Sequence, residues 1–143
     1  MPAVSIAQDK VAIYRWNLGN DWVEARADDE AGMLNAGYTH RTFVGYLFRE
    51  PVEGTVAINR WHFVKTDDWV TVREDESSNM VRFGYTDKVL LGYAYATPHS
   101  NTVPLNRWNL LKTGDWVTVP ETASADMQRF GYTNKRLVAY APK

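Results

Sequence analysis

The sequence contains no cysteine among its 143 residues, and this absence excludes several classes of site at once. Disulfide bonds, thiolate nucleophiles, iron–sulfur clusters and cysteine-ligated zinc all need that side chain. A surplus of positive charge is missing too, because 16 Lys and Arg stand against 17 Asp and Glu, for a formal net charge of -1. Nucleic-acid binders draw much of their affinity from basic surfaces, so we expect no nucleic-acid partner.

Long hydrophobic runs are also absent. No stretch approaches the roughly 18 apolar residues of a membrane-spanning helix, so we expect no insertion into membranes. Residues 1–5 lack the basic segment and the apolar run that begin a secretory signal. We therefore expect the protein to be cytoplasmic, or to be released without a signal peptide.

What the sequence does contain is a threefold internal repeat. Four motifs recur in the same order: Arg-Trp, Asp-Trp-Val, Gly-Tyr-Thr, and a final Gly-Tyr or Ala-Tyr. The last three motifs recur every 47 residues, and all six tryptophans fall in the scheme, two per copy. The copies span about residues 11–51, 56–98 and 103–143, and we treat residues 1–143 as a single domain of three repeats.

Local patterns within a copy predict short strands around one or two helical turns. In the second copy, residues 56–61, 69–72 and 89–95 are rich in β-branched and aromatic residues, and residues 74–83 form a polar stretch that ends at Gly84. A copy of about 45 residues buries too little apolar surface to fold alone, so the copies must share a core. Three or four strands per copy predict an all-β protein, a β-trefoil with pseudo-threefold symmetry. A β-prism and a propeller assembled from several chains are the alternatives.

The polar members of the repeat indicate a binding site. Each copy has an arginine directly before one tryptophan, an aspartate directly before the other, and a tyrosine further on. Carboxylates accept hydrogen bonds from sugar hydroxyls, guanidinium groups donate to sugar oxygens, and aromatic rings cover the C–H faces of sugars. The predicted ligand-binding residues are Arg15, Asp21, Trp22 and Tyr38 in the first copy, Arg60, Asp68, Trp69 and Tyr85 in the second, and Arg107, Asp115, Trp116 and Tyr132 in the third.

A structural role is the alternative for the same residues. An Arg–Asp pair would lock the hairpin, with the guanidinium stacked on the indole. We expect Trp16, Trp61 and Trp108 in the core and the Asp-Trp tryptophans nearer the surface, because the latter directly follow a polar turn. The connection from Trp16 to Asp21 is two residues shorter than its counterparts, which predicts that the first copy binds differently or not at all.

Catalysis has less support than binding. An active site usually needs one asymmetric set of unlike groups, whereas these polar groups recur three times. The histidines, His40, His62 and His99, lack metal-ligand spacing, and we place them on exposed loops. No phosphate-binding loop, dinucleotide fingerprint or nucleophile elbow occurs. We therefore predict a non-enzymatic protein without metal or cofactor.

At these residues the chain resembles two known groups of proteins. The threefold repeat of about 47 residues resembles the β-trefoil lectins of fungi and bacteria, which bind glycans at up to three related sites. The order Arg-Trp, Asp-Trp, Gly-Tyr, Gly-Tyr is also similar to a repeat found beside cell-wall hydrolases. The ricin-type Gln-x-Trp signature of many trefoil lectins is absent. The resemblance implies the architecture and a broad sugar-binding role, and the candidate residues come from the chain's own repeats.

Together these features predict a lectin with up to three related glycan sites that acts by multivalent recognition. Its partners would be glycans or glycoconjugates, and a homo-oligomer is one option for its assembly. The alternative is a protein-binding module, such as a hydrolase inhibitor, in which a single loop binds and the threefold set is structural.

Overall fold

Each repeat folds into three antiparallel strands, with a 3-10 turn and a short helix before the third strand, in a computed structural model that describes residues 9–143. Residues 1–5, on which the signal-peptide argument depends, lie outside that range. The first repeat comprises β1 (Lys10–Leu18), β2 (Asp21–Arg26), α1 (Glu30–Asn35) and β3 (His40–Phe48); the second β4 (Thr55–Phe63), β5 (Asp68–Arg73), α2 (Ser77–Arg82) and β6 (Thr86–Tyr95); the third β7 (Thr102–Leu110), β8 (Asp115–Pro120), α3 (Ser124–Arg129) and β9 (Thr133–Pro142).

The first strand of each repeat lies in the middle of its small sheet. It pairs antiparallel with the second strand through a hairpin and with the third strand along its other edge. Side chains alternate along the second strand, as they do in any strand. Val23 and Ala25 therefore enter the core of their own repeat, while Trp22 and Glu24 point to the opposite side of β2.

The helices end as the sequence predicts. Gly84 follows α2 with φ of +90°, a left-handed conformation that glycine adopts without steric cost. The backbone N–H of Tyr85 bonds to the carbonyl of Met80, and that of Gly84 bonds to Val81, which is the Schellman arrangement. The same bonds occur after α1 and α3. This helix end fixes the start of the third strand and with it the position of Tyr85.

The three small sheets join into one antiparallel sheet of nine strands. Their third strands touch at single bridges, one between Phe48 and Tyr93 and one between Tyr95 and Tyr140. Gly92 makes the first of these junctions possible, because a Cβ there would lie 2.7 Å from the Cβ of Leu47. The second strands of the three repeats also contact one another. Every repeat therefore has the other two as neighbours.

The interior consists of one shared core and three smaller ones. The shared core contains apolar residues from the first and third strands of all repeats, including Ile13, Ile58 and Leu105. Each smaller core belongs to one repeat and contains a buried tryptophan, two residues of the second strand and the helix methionine. Trp16, Trp61 and Trp108 are only 2%, 5% and 3% exposed, which confirms their predicted place in the core.

The prediction of an all-β protein is confirmed, whereas the β-trefoil is not. The described residues form three strands per repeat, which lies within the predicted three or four, and in the second repeat the last strand runs without a break from Thr86 to Tyr95. The loop position predicted for His62 is wrong: this residue lies on β4, and its side chain is 14% exposed. His40 begins β3 and His99 lies on a connection, and both are exposed. The helices among residues 9–143 are too short to cross a membrane.

Candidate functional site

The repeated arginine and the Asp-Trp tryptophan of the same repeat stack on one another. The guanidinium carbon lies between 5.1 and 5.4 Å from the ring centre in three pairs: Arg15 with Trp22, Arg60 with Trp69, and Arg107 with Trp116. Burial lowers the pKa of each of these arginines, and each Nε is buried without a hydrogen-bond partner among residues 9–143. The stack pre-orients a cation and an indole side by side on each hairpin.

Each of these half-buried tryptophans packs against the small core of the preceding repeat. Trp69 packs against the core of the first repeat, Trp116 against that of the second, and Trp22 against that of the third. This cyclic pattern creates three related junctions between neighbouring repeats. We call the junction at Trp69 the first groove, the junction at Trp116 the second groove, and the junction at Trp22 the third groove; the second of them contains a cavity.

The tyrosine and the aspartate at each groove come from the preceding repeat. In the first groove, Tyr38 packs on the same core as Trp69, and its hydroxyl donates a 2.9 Å hydrogen bond to Asp21. The charges of Asp21 and Arg60 both act on the Tyr38 phenol. The other grooves bring the same residue types together without a tyrosine–aspartate hydrogen bond among the described residues: Asp68 and Tyr85 with Arg107 and Trp116, and Asp115 and Tyr132 with Arg15 and Trp22.

The predicted residue types therefore meet, but not within one copy as the sequence analysis supposed. Arginine and tryptophan come from one repeat, whereas aspartate and tyrosine come from the repeat before it. The offset follows from the second strand, whose alternation points Trp22 away from its own core and toward the neighbouring repeat. The repeat pattern alone cannot reveal this offset between repeats, because each copy contains all four residue types within its own sequence.

The repeated arginines and aspartates do not lock each other in ion pairs among the described residues. The aspartates instead gather from the three repeats near one another. Burial raises the pKa of Asp21 to about 6, the Tyr38 hydrogen bond opposes this shift, and the charges of Asp67, Asp115 and Asp68 add to it. Burial and the neighbouring Asp68 likewise raise the pKa of Asp115 to about 6. These carboxylates therefore carry an electrostatic strain at neutral pH.

The second groove contains a cavity of about 430 Å³. The second repeat contributes Val70, Glu76, Asn79, Met80, Phe83 and Tyr85 to its lining, and the third repeat contributes Arg107, Trp116, Asn134 and Arg136. A smaller cavity of about 300 Å³ shares Glu76, Arg107 and Arg136 and reaches Arg73. The predicted residues Arg107, Trp116 and Tyr85 thus line the cavity, whereas Asp68 does not.

A buried carboxyl group that the sequence analysis missed lies between the repeats. Glu24 is 4% exposed and accepts a 2.8 Å hydrogen bond from the Thr71 hydroxyl of the second repeat. Burial raises its pKa, and the Thr71 bond and the charges of Arg15 and Arg60 oppose that shift. Threonine occupies the equivalent positions 71 and 118, so an acidic residue that breaks the repeat was the available signal.

The three grooves differ in the residues that surround the common set. In the first groove, the His62 ring stacks on Trp69 with ring centres 4.1 Å apart. In the second groove, Glu76 forms a 3.2 Å ion pair with Arg107. In the third groove, the position equivalent to Glu76 is Ala123, which packs against the same core as Trp22. One fold therefore presents three chemically distinct sites.

Besides Asn134 and the apolar Val70 and Met80, four lining residues of the second groove were not predicted as site residues, namely Glu76, Asn79, Phe83 and Arg136. Three of these four lie on or beside α2. The polar sequence of that helix does not indicate that the helix borders a groove. Arg136 was hidden for a different reason, since the repeat places Thr42 and Val89 at its equivalents. Only the pairing of β7 with β9, which sets Arg136 opposite Arg107, reveals its part in the site.

Nothing in the described part of the chain groups three or more His, Asp or Glu side chains in a way that could hold a metal ion. Comparison with known proteins adds no identification: no protein-family model, no curated protein and no solved structure matches the chain. The candidate site consequently stands on its own geometry, which combines a half-exposed indole, a guanidinium and a phenol hydroxyl beside an open cavity.

Proposed function

We propose that the protein is a non-catalytic carbohydrate-binding protein that uses up to three related grooves between its repeats. The observation that carries this proposal is the stack of Arg107 on Trp116 at the wall of a cavity that also contains Tyr85. An indole face covers the C–H surface of a sugar ring, while the guanidinium and the hydroxyl reach its edge. The volume of about 430 Å³ suits one or two sugar rings.

The threefold arrangement supports a multivalent mode of action. A single shallow groove with few polar groups binds weakly, but three grooves on one rigid body engage a glycan-covered surface together. This is the behaviour of the β-trefoil lectins that the repeat resembles, and the likeness to that group is part of the proposal. Glycans or glycoconjugates are the proposed partners, in place of nucleic acid or membrane.

A glycan array with competition by free sugars tests the proposal. We expect binding that a soluble sugar displaces, and we expect Trp116→Ala to weaken binding at the second groove at least tenfold, as loss of a buried aromatic anchor does. Leu111→Ser is the matched control, because Leu111 is 71% exposed at the tip of the hairpin that carries Trp116 and does not line the cavity. Silence across a broad array from a protein that is demonstrably folded would refute the proposal.

A protein-binding module is the second candidate, and exposed apolar side chains favour it. Val64, Phe83, Leu111 and Phe130 are each at least 60% exposed on hairpin tips and helix ends. Such residues are common anchors of protein interfaces. Substitutions distinguish the two candidate functions. For a protein-binding module, Leu111→Ser combined with Phe130→Ser would abolish binding to the protein partner, while Trp116→Ala would leave that binding intact.

A further inference from the structure

The second groove carries one more positive charge than its own residues neutralise. Arg107, Arg136 and Glu76 line both of its cavities. Glu76 pairs with Arg107 at 3.2 Å, and Arg73 at the outer end pairs with Asp75 at 3.0 Å. Arg136 is exposed and has no ion-pair partner among residues 9–143. One cation therefore faces the cavity without a counter-charge.

The two groove arginines are direct neighbours across the sheet. Arg107 on β7 and Arg136 on β9 occupy opposite positions in the strand register. Like charges placed opposite one another on a sheet repel and destabilise it. The repulsion is visible in the pKa of Arg107, which burial lowers and the charge of Arg136 lowers further against the opposing effect of Glu76. An anion between the two guanidinium groups would relieve this repulsion.

The fold does not need this arrangement, because the other repeats build the same backbone without it. The residues equivalent to Arg136 are Thr42 and Val89, and they face Arg15 and Arg60 in the same register. The residues equivalent to Glu76 are Asp29 and Ala123. Neither the extra arginine nor the glutamate is thus required by the threefold architecture, and their chemistry is available for a ligand.

We propose that the second groove selects saccharides that carry an anionic substituent, a carboxylate or a sulfate ester, and that Arg136 is the residue that determines this preference. The inference rests on the proposed function and narrows its substrate class. The sugar ring lies on Trp116, and its anionic oxygens bind the guanidinium group of Arg136, whose planar fork matches carboxylate and sulfate geometry. Glu76 competes with the ligand for Arg107 and so limits the affinity.

Matched pairs of sugars measure the charge preference directly. The probes are sialyllactose against lactose and a sulfated galactose against galactose, with sodium sulfate alone as the third arm. The indole N–H signals of Trp22, Trp69 and Trp116 in NMR spectra report each groove separately. We expect both anionic sugars to shift the Trp116 signal at lower concentration than their neutral partners, and we expect added salt to reduce that difference.

Two substitutions move the preference in opposite directions. Arg136→Val installs the residue that the second repeat already holds at this position, and it should reduce the ratio of anionic to neutral affinity roughly three- to tenfold. Glu76→Ala installs the residue of the third repeat and should raise that ratio by a similar factor. Unchanged ligand-free signals of Trp22 and Trp69, which pack on other cores, establish that each variant is folded, and Arg136→Thr serves if the valine variant is not.

The outcomes distinguish this inference from the proposed function. If no sugar of either kind shifts any indole signal, both fail. If sugars bind at Trp116 with the same ratio in the Arg136→Val variant, the inference fails and the proposed function stands. Sodium sulfate that binds as tightly as sulfated galactose would likewise overturn the inference, because the groove would then hold a simple anion rather than a saccharide.

Discussion

The second and third grooves share a backbone frame but differ in charge. In the second, Arg107 has an opposing arginine and a partner carboxylate, Glu76, within the groove. In the third, Arg15 faces Thr42 across the strands and feels the buried carboxyl of Glu24. Stacking on tryptophan is the same in both. The repeat therefore fixes the frame of the proposed binding site, while residues that depart from the repeat pattern, such as Glu76 and Arg136, set its charge.

The largest effect should come from the core beneath a groove. Trp108→Ala should lower the free energy of unfolding by about 3–5 kcal/mol, because Trp108 is 3% exposed and its removal leaves a cavity. Trp116→Ala, at a half-buried position, should cost only about 1–2 kcal/mol. Urea denaturation followed by circular dichroism measures both.

Substitutions at the same two positions also test whether the second and third grooves are independent of one another. Trp108 belongs to the core on which Trp22 packs, whereas Trp116 packs on the core of the second repeat. The conservative Trp108→Phe variant should therefore perturb the Trp22 indole signal and leave ligand binding at the second groove intact. Equal disturbance of both grooves would contradict the division of the interior into separate small cores.

The elements of one repeat were predictable because they depend on local patterns. β-Branched strands, a polar helical stretch and Gly84 as the helix end all appear in the structure at their expected places. The start of the third strand was less accessible, since β6 begins at Thr86, three residues before the apolar stretch 89–95 that predicts it.

The grouping of the site residues was not predictable in the same way. Arg107 and Trp116 meet Tyr85 only because neighbouring repeats pack in a cyclic order, which depends on tertiary contacts. Glu24 and Arg136 have no counterpart of the same kind in the other repeats, so the repeat pattern does not mark them as site residues. In a repeat protein, departures from the repeat carry as much information about chemistry as the repeat itself does about architecture.

The aspartate of the third groove, Asp115, should make the free energy of unfolding depend on pH. The pKa of Asp115 is raised to about 6, so the folded protein holds this proton more tightly than the unfolded chain. Stability from this group is therefore present at low pH and is lost as the pH rises from about 4 to about 6. Asp115→Asn should stabilise the protein at pH 7 by about 1 kcal/mol after solvent screening.

Urea titrations of wild type and variant at pH 4 and pH 7 test this expectation. The advantage of Asp115→Asn should be close to zero at the lower pH, where the wild-type carboxyl is already protonated. If Asp115→Asn stabilises the protein equally at pH 4 and pH 7, the substitution acts through packing or the Thr113 contact. The repulsion between Asp115 and Asp68 would then be unimportant.

The first groove offers a third point of comparison, because His62 covers its indole. Asn17 and Asn109 occupy the equivalent positions, and their side chains donate to turn carbonyls instead of stacking. His62→Asn should therefore uncover one face of Trp69 at a cost of roughly 0.5–1 kcal/mol from the lost stack. Sugar binding reported by the Trp69 signal should strengthen a few-fold, and an unchanged affinity would show that the face covered by His62 does not take part in binding.

The smallest effect on stability should come from adding to the third groove an acidic residue like Glu76 of the second groove. Ala123→Glu places a carboxylate beside Arg15 at the position where Glu76 meets Arg107. A half-exposed ion pair adds only about 0.5 kcal/mol, so the free energy of unfolding should rise slightly, and the gain should disappear at high salt. The Trp22 groove should lose affinity for sialyllactose while the Trp116 groove keeps its own. Loss of binding at both grooves would show that the charge acts over the whole molecule and that the grooves are not independent sites.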